Sequence, residues 1–206
     1  MEGKRVLITG GNSGIGLVTA RELASMGAEV ILACRDTEKT AEALKVIALK
    51  AIKPPINLPV ELSSLTSVRS VASNFLERFD SLDVLINNAG VFPSRQQFTE
   101  DGFEMQMGVN HLSHFLLTHL LLDCLKSSNS ARVISVSSTL HKKSSMDLDT
   151  FTGFTKYNAS TAYNQSKLAN VMFALELAKR LKGTGVTSNV LHPGAVKTDI
   201  IRDLPW

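Results

Sequence analysis

A chain of 206 residues with 44% hydrophobic and 20% charged residues has the make-up of one soluble globular domain with a core of its own. Its net charge of +3 comes from scattered basic residues without a dense Lys/Arg tract, which suits small anionic ligands and predicts no nucleic-acid partner. Cys34 and Cys124 both sit in apolar runs and read as small buried residues of a reducing, cytoplasmic setting, not as a disulfide framework.

In chain order, RVLIT at 5–9 is a short β-branched run that predicts a strand, followed by the glycine-rich GGNSGIG. Helical spacing then puts Ile15, Val18, Leu23 and Met26 broadly on one side, and Gly27 ends that helix. EVILA at 29–33 predicts a second strand. The next helix, over 36–52, takes Asp36 or Thr37 as its N-cap and closes at Pro54 and Pro55. NLPVEL at 57–62 predicts a strand, residues 64–79 a helix, and LDVLIN at 82–87 a strand. A long helix covers much of 102–126, ARVISVSS at 131–138 is a strand, and residues 141–156 read as a surface insertion. A second long helix spans about 160–182, and VTSNVLHP at 186–193 is the last strand.

This alternation predicts an α/β fold, a Rossmann-type doubly wound parallel sheet with helices on both faces, in a single domain over 1–206. The strands are nearly all apolar, as expected when both faces are covered. The start MEGKRVLITGG has no long apolar h-region, and the apolar stretch at 115–126 is too short to span a bilayer. No transmembrane segment is therefore expected, and peripheral membrane association is left open.

In open α/β sheets, ligands collect outside the carboxyl ends of the strands. At the first strand end, Gly10, Gly14 and Gly16 follow a G-x-x-x-G-x-G spacing, with Asn12, Ser13 and Ile15 completing the loop. Glycine permits a tight turn and a close approach by a pyrophosphate, which the N–H groups at the helix start can then bind. At the second strand end, ACRD places Arg35 where NAD-binding units usually carry an acid. An Arg pairs well with a 2′-phosphate, which favours NADP(H) over NAD(H), although Asp36 could hold a ribose hydroxyl.

With these residues in view, the sequence resembles the short-chain dehydrogenase/reductase family, with T-G-x-x-x-G-I-G at the first strand end. Four further stretches match in order: NNAG at 87–90, VNHLSHF with Asn110, VISVSS ending at Ser138, and YNQSK with Tyr163 and Lys167. HPGAVKT at 192–198 matches the loop that holds the nicotinamide end. The resemblance implies that Asn87, Ala89 and Gly90 line the adenosine side, and that Pro193, Gly194, Val196 and Thr198 hold the carboxamide end. It implies that Glu61 and Leu62 flank the adenine, with Glu61 one methylene longer than the Asp many members carry. The chain looks most like the retinol-dehydrogenase-like branch, which generally prefers NADP(H) and has a similar insertion before the Tyr. Family members normally continue through a substrate-covering region and a seventh strand, and they commonly pair through the two long helices as dimers or tetramers.

Hydride transfer between an alcohol carbon and a nicotinamide needs a matching proton transfer at oxygen. The resemblance assigns that role to Tyr163. Lys167 lies one helical turn away, where its charge would favour the phenolate and where it could bond the ribose. Ser138 would polarise the substrate oxygen, although strand alternation sends only one of Ser137 and Ser138 toward the site. Asn110 would hold a water linking Lys167 to solvent. The five histidines show no metal-ligand grouping. The expected activity is an alcohol–carbonyl oxidoreductase acting on an apolar small molecule. Its rival is an NADP(H)-binding module without catalysis, and an epimerase-type use of Tyr-x-x-x-Lys is weaker still.

Overall fold

Six short segments pair side by side in one parallel sheet of order β3-β2-β1-β4-β5-β6. They are β1 (Arg5–Thr9), β2 (Glu29–Cys34), β3 (Ile56–Pro59), β4 (Val84–Asn87), β5 (Ala131–Val136) and β6 (Val186–Leu191). The structure is a computed structural model and describes residues 1–194. The strand order reverses between β1 and β4, so the loops leaving these neighbours part and open a crevice at their carboxyl ends. The register sets Leu7 between Ile31 and Leu85 at the centre of the sheet.

Helices cover both faces. On one, α1 (Gly14–Ser25) and α2 (Glu38–Ala48) pack over Val6, Ile8, Val30 and Leu32. On the other, α3 (Leu65–Leu76) and α5 (Ser113–Leu120) bring Val68, Phe75 and Leu117 against Leu7, Ile31, Leu85 and Val133. Burying each large apolar side chain stabilises the fold by roughly 1.5–3 kcal/mol. The long α7 (Ala159–Arg180) lies over β5 and β6 on this second face, with Leu177 and Leu181 joining the same core.

The structure departs from the sequence pattern in four places. The buried side of α1 is Gly16, Ala20 and Ala24, while Val18 and Met26 are exposed. Small residues let this helix sit close to the sheet, and of its large apolar residues Leu17 and Leu23 pack against the same core, half-buried. The third strand stops at Pro59, which has no N–H to donate and stands in an edge strand. The strands are not uniformly apolar: β5 and β6 alternate, with Ala131 and Val133 buried while Arg132 and Thr187 face solvent.

The fourth departure is the predicted helix over 102–126, which breaks into α4 (Met105–Met107), a π-turn (Gly108–Leu112), α5 and α6 (Leu122–Lys126). Ser113 N–H reaches back five residues to the Gly108 carbonyl, which defines the wide turn. The insertion forms two short 3₁₀ turns, Thr139–Lys143 and Leu148–Thr152. It is tied down where Asp147 N–H donates to Gln165 Oε1 at 2.9 Å and Phe154 N–H to Gln96 Oε1 at 2.7 Å.

Candidate active site

The crevice at the β1/β4 switch is a cleft of about 710 Å³. It is lined by Gly10, Asn12, Ser13, Gly14, Ile15 and Gly16 from the first loop, Arg35, Glu61 and Leu62 from the next two strand ends, and Ala89 and Gly90 after β4. Ser138, Tyr163, Lys167, Pro193 and Gly194 close its other end. The structure thus gathers most of the predicted residues into one site.

The glycine loop is close-packed. Gly10 has φ +65°, a region other residues rarely adopt. A Cβ on Gly16 would lie 2.2 Å from the Gly10 carbonyl oxygen, so only glycine lets the turn fold this tightly. The start of α1 differs from those of α2, α3 and α7. Thr37, Ser64 and Asn158 cap α2, α3 and α7 through their side chains, but Ser13 makes no cap bond to α1. The first N–H groups of α1 therefore open onto the cleft with no acidic residue in the first turn. That donor set fits a dinucleotide pyrophosphate. Asn12 anchors the loop by donating to Thr40 Oγ1 at 2.9 Å, and Thr40 in turn donates to the Arg35 carbonyl at 2.7 Å.

At the outer end, the Arg35 side chain is 73% exposed and its Nη1 lies 3.8 Å from Glu61 Oε2. The other Glu61 oxygen accepts from Ser63 N–H at 3.0 Å and Ser63 Oγ at 2.9 Å. Lys39, on the first turn of α2, lines the same end. Sequence reading missed it, although it lies four residues after Arg35 and lines the same cleft.

The end lined by Tyr163 and Lys167 is built from buried polar groups. Tyr163 is pushed above its ordinary pKa by burial, and its ring lies 4.8 Å from that of Phe92. Lys167 is 2% exposed, and burial lowers its pKa from 10.5 to about 8. Its ammonium sits 5.4 Å from the centre of the Tyr163 ring and donates to the Val136 carbonyl at 3.1 Å. Within the protein itself, burial thus favours the neutral form of both groups. Asn170 also donates to Val136 O, at 3.3 Å.

The two serines divide. Ser137 is 4% exposed, and its hydroxyl donates to the Lys167 carbonyl at 2.8 Å. Ser138 caps the first 3₁₀ turn by accepting from Leu140 N–H at 3.3 Å, which leaves its proton to donate.

Two predicted site residues do not face the cleft. Asn87 turns to the α5 side, where Nδ2 donates to Thr118 Oγ1 at 2.9 Å. Its neighbour Asn88 lines the site instead, donating through Nδ2 to Thr9 O at 2.8 Å and to Gly10 O at 3.3 Å. Asn110 is fully buried in the π-turn. Its Oδ1 accepts from Val91 N–H at 2.7 Å, and its Nδ2 donates to Val91 O at 3.1 Å and Ser166 Oγ at 3.0 Å. The side chain clamps the loop after β4. Val196 and Thr198 lie outside the described residues.

The model of the family described as short chain dehydrogenase matches residues 4–205. The chain belongs to the short chain dehydrogenase family. It is 50% identical to human retinol dehydrogenase 13 over 202 residues, covering 97% of this chain and 61% of that protein. It is 48% identical to human retinol dehydrogenase 14, covering 99% of this chain and 65% of that protein. The chain therefore spans about two thirds or less of the length of these relatives. Among solved structures, an uncharacterized protein from Mycobacterium paratuberculosis superposes with a TM-score of 0.83 at 42% identity, covering 94% of this chain and 69% of that one. The Pseudomonas aeruginosa RhlG/NADP complex superposes with a TM-score of 0.80 at 30% identity, covering 98% and 76%. Among the described residues no helix is long and apolar enough to cross a membrane, and no group of three or more His, Cys, Asp or Glu could hold a metal.

Proposed function

We propose that this family member is an NADP(H)-dependent oxidoreductase that interconverts an apolar alcohol and its carbonyl compound. One observation carries the reading: Tyr163, Lys167 and Ser138 meet at one end of a cleft whose other end offers an uncapped helix start and Arg35. A bound nicotinamide dinucleotide would supply the hydride exchange, and the chain's own groups handle the oxygen.

Ser138 donates its hydroxyl proton to the substrate oxygen and polarises it. Tyr163 gives or takes the proton there. Because burial holds the phenol protonated at neutral pH, its resting form is an acid, ready for carbonyl reduction. Lys167, with its pKa near 8, sits close enough to neutrality to exchange protons behind Tyr163 and to bond a ribose hydroxyl. Asn110 positions the Val91 segment, and Val91, Phe92, Pro93, Met105 and Val109 make this part of the cleft apolar. That lining and the two named relatives support an apolar substrate such as retinol or another lipid alcohol. Arg35 and Lys39 support a 2′-phosphate at the far end.

The test is turnover of a panel of aldehydes, ketones and alcohols with NADPH and NADH, in the wild type and in Tyr163→Phe. The wild type is expected to turn over apolar carbonyl compounds with NADPH. Tyr163→Phe is expected to lose about 10²–10⁴-fold in kcat while NADPH affinity stays unchanged. Turnover indifferent to the substitution would remove the mechanism. NADPH binding with no turnover of any substrate would favour a binding module instead.

A further inference from the structure

Behind the cleft lies a histidine that the proposed chemistry does not use. His114, on α5, is 2% exposed. Its Nδ1 lies 3.2 Å from the Asn110 carbonyl oxygen and its Nε2 2.8 Å from Thr9 Oγ1. A carbonyl can only accept, so Nδ1 carries the hydrogen and Nε2 presents a lone pair. The Thr9 hydroxyl must then donate to Nε2. The same hydroxyl oxygen accepts from Asn88 N–H and Ala89 N–H, both at 3.0 Å. The other acceptor within reach of the hydroxyl, Ile86 O at 3.5 Å, is at the limit of a useful hydrogen bond.

The result is a directed chain from carbonyl to imidazole to hydroxyl to two backbone amides. It ends on the two residues that wall the glycine turn. Asn88 bonds the Gly10 carbonyl, and a Cβ on Gly10 would lie 3.0 Å from Ala89 Cα.

We propose that His114 is a positioning residue for the cleft: its imidazole fixes the Thr9 hydroxyl so that Oγ1 accepts from both amides, and so holds the Asn88–Gly90 wall against the glycine turn. The proposal rests on the dinucleotide reading of the cleft. An imidazolium could not serve. Its Nε2–H would claim one Thr9 lone pair and leave one of the two amides without an acceptor. Burial holds His114 neutral, with its pKa lowered to about 4, and the nearby Lys167 and His111 push the same way.

The experiment compares three substitutions of His114 in the full chain. Gln keeps an acceptor near the Nε2 position, Asn keeps polarity only near Nδ1, and Leu keeps apolar volume alone. NADPH affinity is read by fluorescence titration, and thermal unfolding is followed in parallel. His114→Leu and His114→Asn are expected to weaken NADPH binding about tenfold, and His114→Gln by about threefold or less, whatever the order of their Tm values. Thr9→Val, which keeps the volume and removes the hydroxyl, is expected to match the tenfold loss, and adding His114→Leu to it should cost nothing more.

Affinity losses that follow Tm across the His114 series, or that add in full to Thr9→Val, would overturn the proposal. So would a His114→Leu protein that binds NADPH as the wild type does. If His114→Leu fails to fold, the contrast between His114→Gln and Thr9→Val decides in the same way. A wild type that binds neither NADPH nor NADH would overturn the dinucleotide reading, and this proposal with it.

Discussion

The two ends of the cleft are made of different material. At the β1–β3 end the proposed recognition elements are backbone and surface: Gly10 and Gly16, the open first turn of α1, and the exposed Arg35. At the β4–α7 end they are interior side chains, with Asn110, Ser137, Ser166, Lys167 and Asn170 all nearly inaccessible. Fixed dipoles at a wet rim can hold an anion without desolvating any charge. A proton donor with a shifted pKa needs burial, and burial of polar groups opposes folding unless every partner is in place. The functional cost to stability should therefore lie at one end only.

Lys167→Met is the strongest way to break that contrast. Activity should fall about 10²–10⁴-fold, yet the protein should become more stable at pH 7 by about 1–3 kcal/mol. The folded pKa of Lys167 near 8 lies below its ordinary 10.5, so holding the ammonium at pH 7 costs stability that Met restores. Val136 O keeps a donor in Asn170. Denaturant titration beside kcat measurement checks both signs, and a less stable Met variant would refute the idea.

The same end should be the acid-sensitive one. The ordinary pKa of His114 is 6.5, and in the fold it is about 4. Below pH 6.5 the unfolded chain takes up a proton that buried His114 refuses. Stability should fall by roughly 3 kcal/mol as pH drops from 6.5 toward 4. His111, also lowered by burial, acts in the same direction. His114→Gln should flatten the Tm–pH curve over this range, and an unchanged slope would count against His114 as its source.

At the glycine end, Gly16→Ala forces a methyl into the Gly10 carbonyl and should destabilise by about 1–3 kcal/mol while removing cofactor binding. The smallest effect is expected at the rim. Arg35→Ala should weaken NADPH about tenfold, leave NADH unchanged and leave Tm within about 1 °C, because its pair with Glu61 is exposed. Titration with both cofactors at two salt concentrations tests this.

These two ends were also unequally legible. Glycine spacing after a strand announces a demand of the backbone itself, and Tyr163 and Lys167 at i and i+4 must share a helix face. The resemblance pointed to Asn87 where Asn88 lines the cleft, because identical neighbours give no clue to which one alternation sends toward it. Ser137 and Ser138 separate only when the Lys167 carbonyl is seen to take one of them. Asn110 matched a family position, but its bonds to Val91 depend on a turn that no propensity foretells. Hydrophobicity finds only part of the packing face of α1: Leu23 meets the core, but Val18 and Met26 are exposed, because close approach to the sheet selects Gly16, Ala20 and Ala24. His114 looked like any lone histidine, since its role exists only through Thr9, 105 positions away.

The π-turn at Gly108–Leu112 gives this architecture an arithmetic it cannot escape. Its one extra residue rotates all of α5 by about 100° relative to an uninterrupted α-helix. Closing the same residues as a regular α-helix would swing His114, Leu117 and Thr118 away from Thr9, the core and Asn87 together, whereas deleting one residue of the turn would let the helix close regularly with all three still facing their partners. A single deletion is thus absorbed at this one turn, while the same deletion inside α5 would act as a frame change in three dimensions.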